Sequence, residues 1–285
     1  MPIEFRDLSY VYSKDMPYAY KALKEINLEI EEGKINAIIG ETGSGKSTLV
    51  QHLNALLLPS EGELEIAGYT IRANEKTKGL KYLRKKVGLV FQFSEYQLFE
   101  ETILKDVSFG PKNFGVSEEE AIIKAKEALK LVGIDESMYE KSPLDLSGGQ
   151  KRRVAIAGIL AMEPEIIVLD EPTAGLDPKG SKEMIGLFSK LNKEMHKTII
   201  LVTHDNEVVY NYADNVILLS HGEIVLNKDA REFFDDKELL DRLHILKPQI
   251  VELKELLNAK GYKIGNEVRD IKALAKAIKE IKKHE

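Results

Sequence analysis

Gly40-Glu41-Thr42-Gly43-Ser44-Gly45-Lys46-Ser47 follows a short, largely apolar run from Ile35 to Ile39. This G-x-x-x-x-G-K-S spacing constrains the fold more than any other feature of the chain. A short apolar run is the pattern of a strand covered on both faces, and Lys46 to about Leu57 reads as a helix. Strand, glycine-rich loop and helix in that order build an anion cradle. The glycines let consecutive backbone N–H groups turn toward one point, where the helix N-terminus adds positive partial charge. Lys46 is placed to neutralise β- and γ-phosphate oxygens, and the Ser47 hydroxyl to ligate Mg²⁺. The expected phosphate-binding set is Gly40, Glu41, Thr42, Gly43, Ser44, Gly45, Lys46, Ser47 and Thr48.

The elements around this loop alternate. Ile3 to Val11 and Leu23 to Ile30 read as strands of an antiparallel layer, and Glu63 to Ile71 and Val87 to Phe91 as further strands. From Thr102 to Met162 the pattern is helical, with a capping box at Ser117-Glu118-Glu119-Glu120 opening a helix that reaches Val132. Strands resume at Ile166 to Leu169 and Thr198 to Thr203, separated by a helix from about Pro178 to Glu194. Val216 to Leu219 and Glu223 to Leu226 flank His221-Gly222 as a closing hairpin. Such alternation predicts an α/β fold with a mainly parallel sheet. After residue 235 the pattern is wholly helical. Ile250, Leu253, Leu256 and Leu257 are expected on one buried face, with Gly261 as the stop. Ile271, Leu274, Ala275, Ile278 and Ile281 form a second stripe, and five lysines between 272 and 283 make a solvated opposite face.

Composition removes several function classes. A chain of 285 residues buries enough surface to need no covalent staple. It has no cysteine, so disulfides, thiolate catalysis and thiolate metal sites are excluded. With 41 basic and 47 acidic side chains the net charge is −6, against nucleic-acid binding through a generally basic surface. The longest apolar stretch, Val154 to Met162, is about half of what a membrane span requires. The start, Met1 to Asp7, lacks the basic and apolar regions of a signal peptide. Work at a membrane is therefore expected to go through a partner.

Two further constellations carry chemistry. Ile166-Ile167-Val168-Leu169-Asp170-Glu171 is a buried strand ending in adjacent acids that point oppositely. Asp170 is expected to hold the Mg²⁺ shell and Glu171 to polarise an attacking water as general base. In Leu146-Ser147-Gly148-Gly149-Gln150, Ser147 and Gln150 make a capping box for the next helix. The two glycines weaken that helix by roughly 1 kcal/mol each relative to alanine, and they make sense if another body approaches that backbone closely.

With this five-residue signature the sequence resembles the ATP-binding-cassette family over about residues 1 to 235. The resemblance implies a RecA-like core with an antiparallel β-subdomain, a helical subdomain at about 94–162, and a C-terminal helical extension at 236–285. It matches Gln92 to the family's Mg²⁺-ligating sensor of the transport partner, and His204 to the histidine that contacts γ-phosphate and the attacking water. It matches Asp177 to the aspartate of the loop Ala174-Gly175-Leu176-Asp177, which is also an ordinary N-cap before Pro178. Tyr12 matches the adenine-stacking aromatic, with Tyr10 nearby leaving the register open. The family mechanism implies two chains facing head to tail, so that ATP on one phosphate loop is capped by Ser147, Gly149 and Gln150 of the other.

One cassette without sustained heptads or membrane spans resembles a separate transporter subunit. Gln92 to Thr102, followed by Phe109-Gly110-Pro111-Lys112-Asn113-Phe114-Gly115, resembles the second of two paired ATPase subunits of energy-coupling factor transporters, which import vitamins and transition-metal ions. That likeness implies ATP and Mg²⁺ as cofactors and a homologous second ATPase subunit as heterodimer partner. It further implies a transmembrane component, a substrate-binding membrane subunit and a peripheral place on the cytoplasmic face. Segment 93–101 mixes Phe93, Tyr96, Leu98 and Phe99 with Glu95, Glu100 and Glu101, suiting an arginine-bearing helix of the membrane partner. The rival readings are an ATPase of a conventional transporter and a soluble P-loop kinase. The latter leaves Leu146 to Gln150 without a purpose.

Overall fold

The structure is a computed structural model that describes residues 3–265, 267–268 and 271–284, without the side chains of 282–284. Strands β1 (Ile3–Tyr12) and β2 (Tyr20–Ile30) lead to β3 (Ile35–Ile39) and helix α1 (Lys46–Leu53). The hairpin of β4 (Glu61–Ile66) and β5 (Tyr69–Arg72) is followed by α2 (Leu80–Lys86) and β6 (Val87–Val90). Helices α3 (Ile103–Asn113), α4 (Glu118–Leu131) and α5 (Gly148–Leu160) form an insertion before β7 (Ile166–Asp170). Next come α6 (Pro178–Met195), β8 (Thr198–Val202), α7 (Asn206–Tyr212), β9 (Asn215–Ser220) and β10 (Glu223–Asp229). The chain ends in α8 (Ala230–Asp235), α9 (Lys237–Arg242), α10 (Gln249–Ala259) and α11 (Ile271–His284).

Two sheets result. One is antiparallel, in the order β2-β1-β4-β5; the other runs β10-β9-β3-β8-β7-β6 and is parallel except for β10. Every residue of β3, β7 and β8 is buried, because alternate side chains serve opposite faces. Ile38, Val168, Ile200 and Val202 pack with α1 and the antiparallel sheet. Ala37, Ile39, Ile167, Leu169 and Leu201 pack with residues such as Val154, Ile156 and Phe188 of the helices. Register then determines where the site lies. Val202 pairs with Ile38 on one side and Asp170 on the other, so the loops leaving β3, β8 and β7 emerge side by side. The carboxyl ends of parallel strands are where α/β sheets bind ligands.

Several expectations shift. The strand expected over Glu63 to Ile71 is a hairpin, because Ala67 (φ 50°) and Gly68 (φ 84°) form a tight turn of the two-residue type. Helix α1 stops at Leu53 rather than Leu57, since Ala55 turns left-handed at φ 53°. Ser117 caps α4, its hydroxyl accepting from the Glu120 N–H at 3.3 Å. On α10 the buried face is Ile250, Val251 and Lys254, whereas Leu253 and Leu256 are 41% and 61% exposed. On α11, Leu274 is buried and Ile278 and Ile281 are partly buried against the same core, while Ile271 and Ala275 are exposed. The side chains of Lys282 and Lys283 lie outside the described residues. Among the described residues no helix is long and apolar enough to cross a membrane.

Candidate functional site

The phosphate loop is closed by contacts that only glycine permits. A Cβ on Gly40 (φ +148°) would stand 2.0 Å from the Leu219 carbonyl oxygen, and one on Gly45 (φ +106°) 2.8 Å from that of Ala22. Gly45 is the N-cap of α1 and no side chain caps that helix, which leaves its positive end facing the cleft. Lys46 Nζ donates to the carbonyls of Gly40 at 2.7 Å and Glu41 at 2.8 Å. Burial lowers its pKa, against the pull of Glu171 and Asp170. Thr42, Gly43, Gly45, Lys46, Ser47 and Thr48 line a cleft of ≈ 340 Å³ together with Gln92, Asp170 and Glu171. Ser44 contributes a buried hydroxyl oxygen that has no partner among the described residues.

Asp170 is buried, and burial raises its carboxyl above the ordinary range while a hydrogen bond with Ser47 opposes the rise. Glu171 adopts the left-handed conformation at φ 50°. Its N–H donates to the Val202 carbonyl at 3.0 Å. One carboxylate oxygen, Oε1, lies 3.0 Å from Nδ1 of His204, a residue whose side chain is 79% exposed. The other, Oε2, is buried with no hydrogen-bond partner among the described residues. Asp170, the Ser47 hydroxyl and Gln92 bring oxygen donors to one cleft, the ligand type that suits Mg²⁺. The buried Asp170 carboxyl, its pKa raised by desolvation and its oxygen hydrogen-bonded to Ser47, fits a hard cation there.

Tyr12 reaches the loop from β1. Its hydroxyl hydrogen-bonds the Thr48 hydroxyl at 3.2 Å, and Tyr10 packs edge-on against both Tyr12 and His52 at 4.8 and 5.0 Å. The signature lies apart from the cleft. Ser147 and Gln150 form the expected box, with Ser147 N–H donating to Gln150 Oε1 at 3.0 Å and Gln150 N–H to Ser147 Oγ at 3.4 Å. A Cβ on Gly148 would meet nothing within 4 Å, and one on Gly149 only Leu176 Cδ2 at 3.7 Å. Among the described residues nothing asks for glycine at either place. Asp177 caps α6, its Oδ1 accepting from the Gly180 N–H at 2.6 Å, and does not line the cleft.

The sequence profile of the ABC transporter family matches residues 23–174. The chain belongs to the ABC transporter family. It is 54% identical over 262 residues to the energy-coupling factor transporter ATP-binding protein EcfA2 of Enterococcus faecalis, spanning 92% of this chain and 91% of that one. A protein of the same name from Lactobacillus delbrueckii subsp. bulgaricus is 51% identical over 280 residues, 98% of this chain and 97% of its own. Among solved structures, cbiO1 from Clostridium perfringens, part of the ABC transporter complex cbiONQ, superposes with a TM-score of 0.73 at 41% identity, covering 89% of this chain and 98% of that one. A dimeric ATP-binding cassette in a post-hydrolysis state with ADP and Pi gives 0.72 at 35% identity, covering 80% and 98%. The expected α/β cassette fold, ABC ATPase assignment and ATP as cofactor hold.

Within this ABC ATPase two arrangements escaped the sequence reading. Tyr20, opposite Tyr12 in the β1–β2 ladder, lines the cleft and is 58% exposed. Tyr20 precedes the strand read from Leu23 and belongs to no motif, so no signal would have singled it out. Glu95 is not the free rim carboxylate expected of segment 93–101. Arg152 holds it through two hydrogen bonds of 3.2 and 3.1 Å, and Glu101 pairs with Lys105 at 2.7 Å. The exposed aromatics Phe93, Tyr96 and Phe99 remain on that surface.

Proposed function

We propose that this chain is the ATP-hydrolysing subunit of an energy-coupling factor importer, at the cytoplasmic face of the membrane, driving uptake of vitamins or transition-metal ions. The observation that carries the reading is the open glycine pair of the signature, Gly148 and Gly149, beside a complete phosphate site that the signature does not touch. Such a pair has a purpose only if the nucleotide it meets belongs to another chain. The named relatives, an energy-coupling factor ATP-binding protein and cbiO1, support the transporter type.

In this reading the backbone of Gly40 to Thr48 and Lys46 grip the phosphates, and Tyr12, helped by Tyr20, holds the adenine. Lys46 must exchange the Gly40 and Glu41 carbonyls for phosphate oxygens, which its desolvated amine favours. Ser47, Asp170 and Gln92 would hold Mg²⁺, which would supply neutralisation of phosphate charge. His204 keeps Oε1 of Glu171 occupied, leaving Oε2 to take the proton of an attacking water. Ser147, Gly149 and Gln150 close over the nucleotide of the partner, with Asp177 beside that junction. Residues 1–235 form the cassette, with the helical subdomain at about 94–162. The extension 236–285 serves pairing, and its exposed Leu253, Leu256 and Ile271 suit that use. The partners are a homologous ATPase subunit in a heterodimer, a transmembrane component docking at segment 93–101, and a substrate-binding membrane subunit.

The test is ATPase rate against protein concentration. The isolated chain should hydrolyse slowly, with a specific rate that rises with its concentration and on adding the second cassette. A concentration-independent rate from a proven monomer refutes the head-to-tail arrangement.

A further inference from the structure

Arg152 stands two residues beyond Gln150 on α5 and is buried, with 3% exposure. A guanidinium carries five N–H donors, and here each has an acceptor. Nε and Nη2 donate to Glu95 Oε2 and Oε1 at 3.2 and 3.1 Å, and Nη2 also donates to the Gln92 carbonyl at 3.0 Å. Nη1 donates to the Pro172 carbonyl at 3.3 Å and to the Ala174 carbonyl. The chain of contacts continues, because the Ala174 N–H donates to the Glu171 carbonyl at 3.2 Å. Glu171 is the residue at φ 50°. A non-glycine residue keeps that conformation only where its surroundings over-determine it. The turn anchored by Arg152 restrains it, together with its own N–H bond to Val202 and the contact of its Oε1 with His204.

We infer that Arg152 is a positioning residue for Glu171. It ties segment 92–95 to the turn 171–174, so that displacement of that segment by a docked membrane partner moves the Glu171 carboxylate. The inference rests on the proposed roles of Glu171 and of segment 93–101. Stability alone is a poor reason for the arrangement, since a buried ion pair is commonly no better than packed apolar side chains. Geometry is the better reason. Only a planar fork with five donors reaches one carboxylate and three carbonyls on two separate turns, and lysine, a compact charge with three donors, cannot.

The experiment uses the full transporter complex and, separately, the isolated ATPase pair, with ATP as the probe. Its readouts are kcat and KM for ATP, and the ratio of kcat in the complex to kcat in the pair. R152K and E95Q are each expected to assemble and to leave KM unchanged while lowering that ratio by about fivefold or more. E95Q removes one charge at the edge of the network and keeps the carbonyl contacts, so it serves if R152K does not fold. If wild type is stimulated in the complex and both variants are stimulated equally, the inference is wrong and the function reading stands. Loss of melting temperature and a rise of KM in both variants makes Arg152 a prop, which also overturns it. A wild-type complex without ATPase activity overturns the function reading and the inference together.

Discussion

Replacing Gly148 by alanine separates the needs of the chain from those of a second chain. Gly148 is the first residue of α5, after the cap Ser147, and its backbone is not in the left-handed region. An added Cβ would meet nothing within 4 Å. Alanine is favoured over glycine by about 1 kcal/mol in a helix interior and by less in a first turn. Gly148→Ala should therefore leave the melting temperature unchanged or raise it by about 2 °C. If a nucleotide of the partner cassette approaches this backbone, the methyl group displaces a charge-assisted N–H contact worth roughly 1.5–3 kcal/mol. That corresponds to about 10- to 100-fold in kcat/KM for ATP. Thermal unfolding of the chain and steady-state ATPase of the assembled pair measure the two effects separately. Full ATPase activity with an unchanged melting temperature would show that nothing approaches this face. A fall of several degrees would show that the glycine serves the chain itself.

Two further outcomes follow from the site and the core. Glu171→Gln should retain ATP binding while turnover falls on the order of a hundredfold or more, and near wild-type turnover removes Glu171 as base. Burial pulls the His52 imidazole from 6.5 down to about 4, so the unfolded chain takes up its proton first as pH falls. The stability His52 contributes is then whole above pH 6.5 and lost as pH falls toward about 4, about 3 kcal/mol in all. Urea midpoints across that window should slope less in His52→Gln, and an unchanged slope refutes the assignment.

The fold was legible wherever burial on both faces left a short apolar run next to a turn signal. Strands β3, β7 and β8 fall where Ile35 to Ile39, Ile166 to Leu169 and Thr198 to Thr203 predicted them, within a residue or two. The misreadings come from weak local chemistry. Ala67-Gly68 lacks the asparagine or aspartate that marks a two-residue hairpin turn, so β4 and β5 read as one strand. Helix α2, Leu80-Lys81-Tyr82-Leu83-Arg84-Lys85-Lys86, buries only Leu83, too little for a periodic signal. On α10 the apolar residues occupy more of the circumference than one buried face needs. Periodicity then could not say that Leu253 and Leu256 stay exposed.

At the site, legibility ends where partners are distant in sequence. The capping box of Ser147 and Gln150 spans three residues and could be read directly. Glu171 with His204 spans 33 residues and Glu95 with Arg152 spans 57, and neither pairing has a local signature. Motif reading therefore assigned Glu95 a partner outside the chain when Arg152, inside it, already holds both carboxylate oxygens. The same reading sought a purpose for Gly148 and Gly149 outside the chain, and there the structure offers no internal alternative. What separates the two cases is satisfaction. A charged group already paired within the chain does not by itself call for an external partner. A helix start weakened by two glycines that meet no packing demand breaks a local rule without internal compensation, and such breaks mark the surfaces on which function is carried.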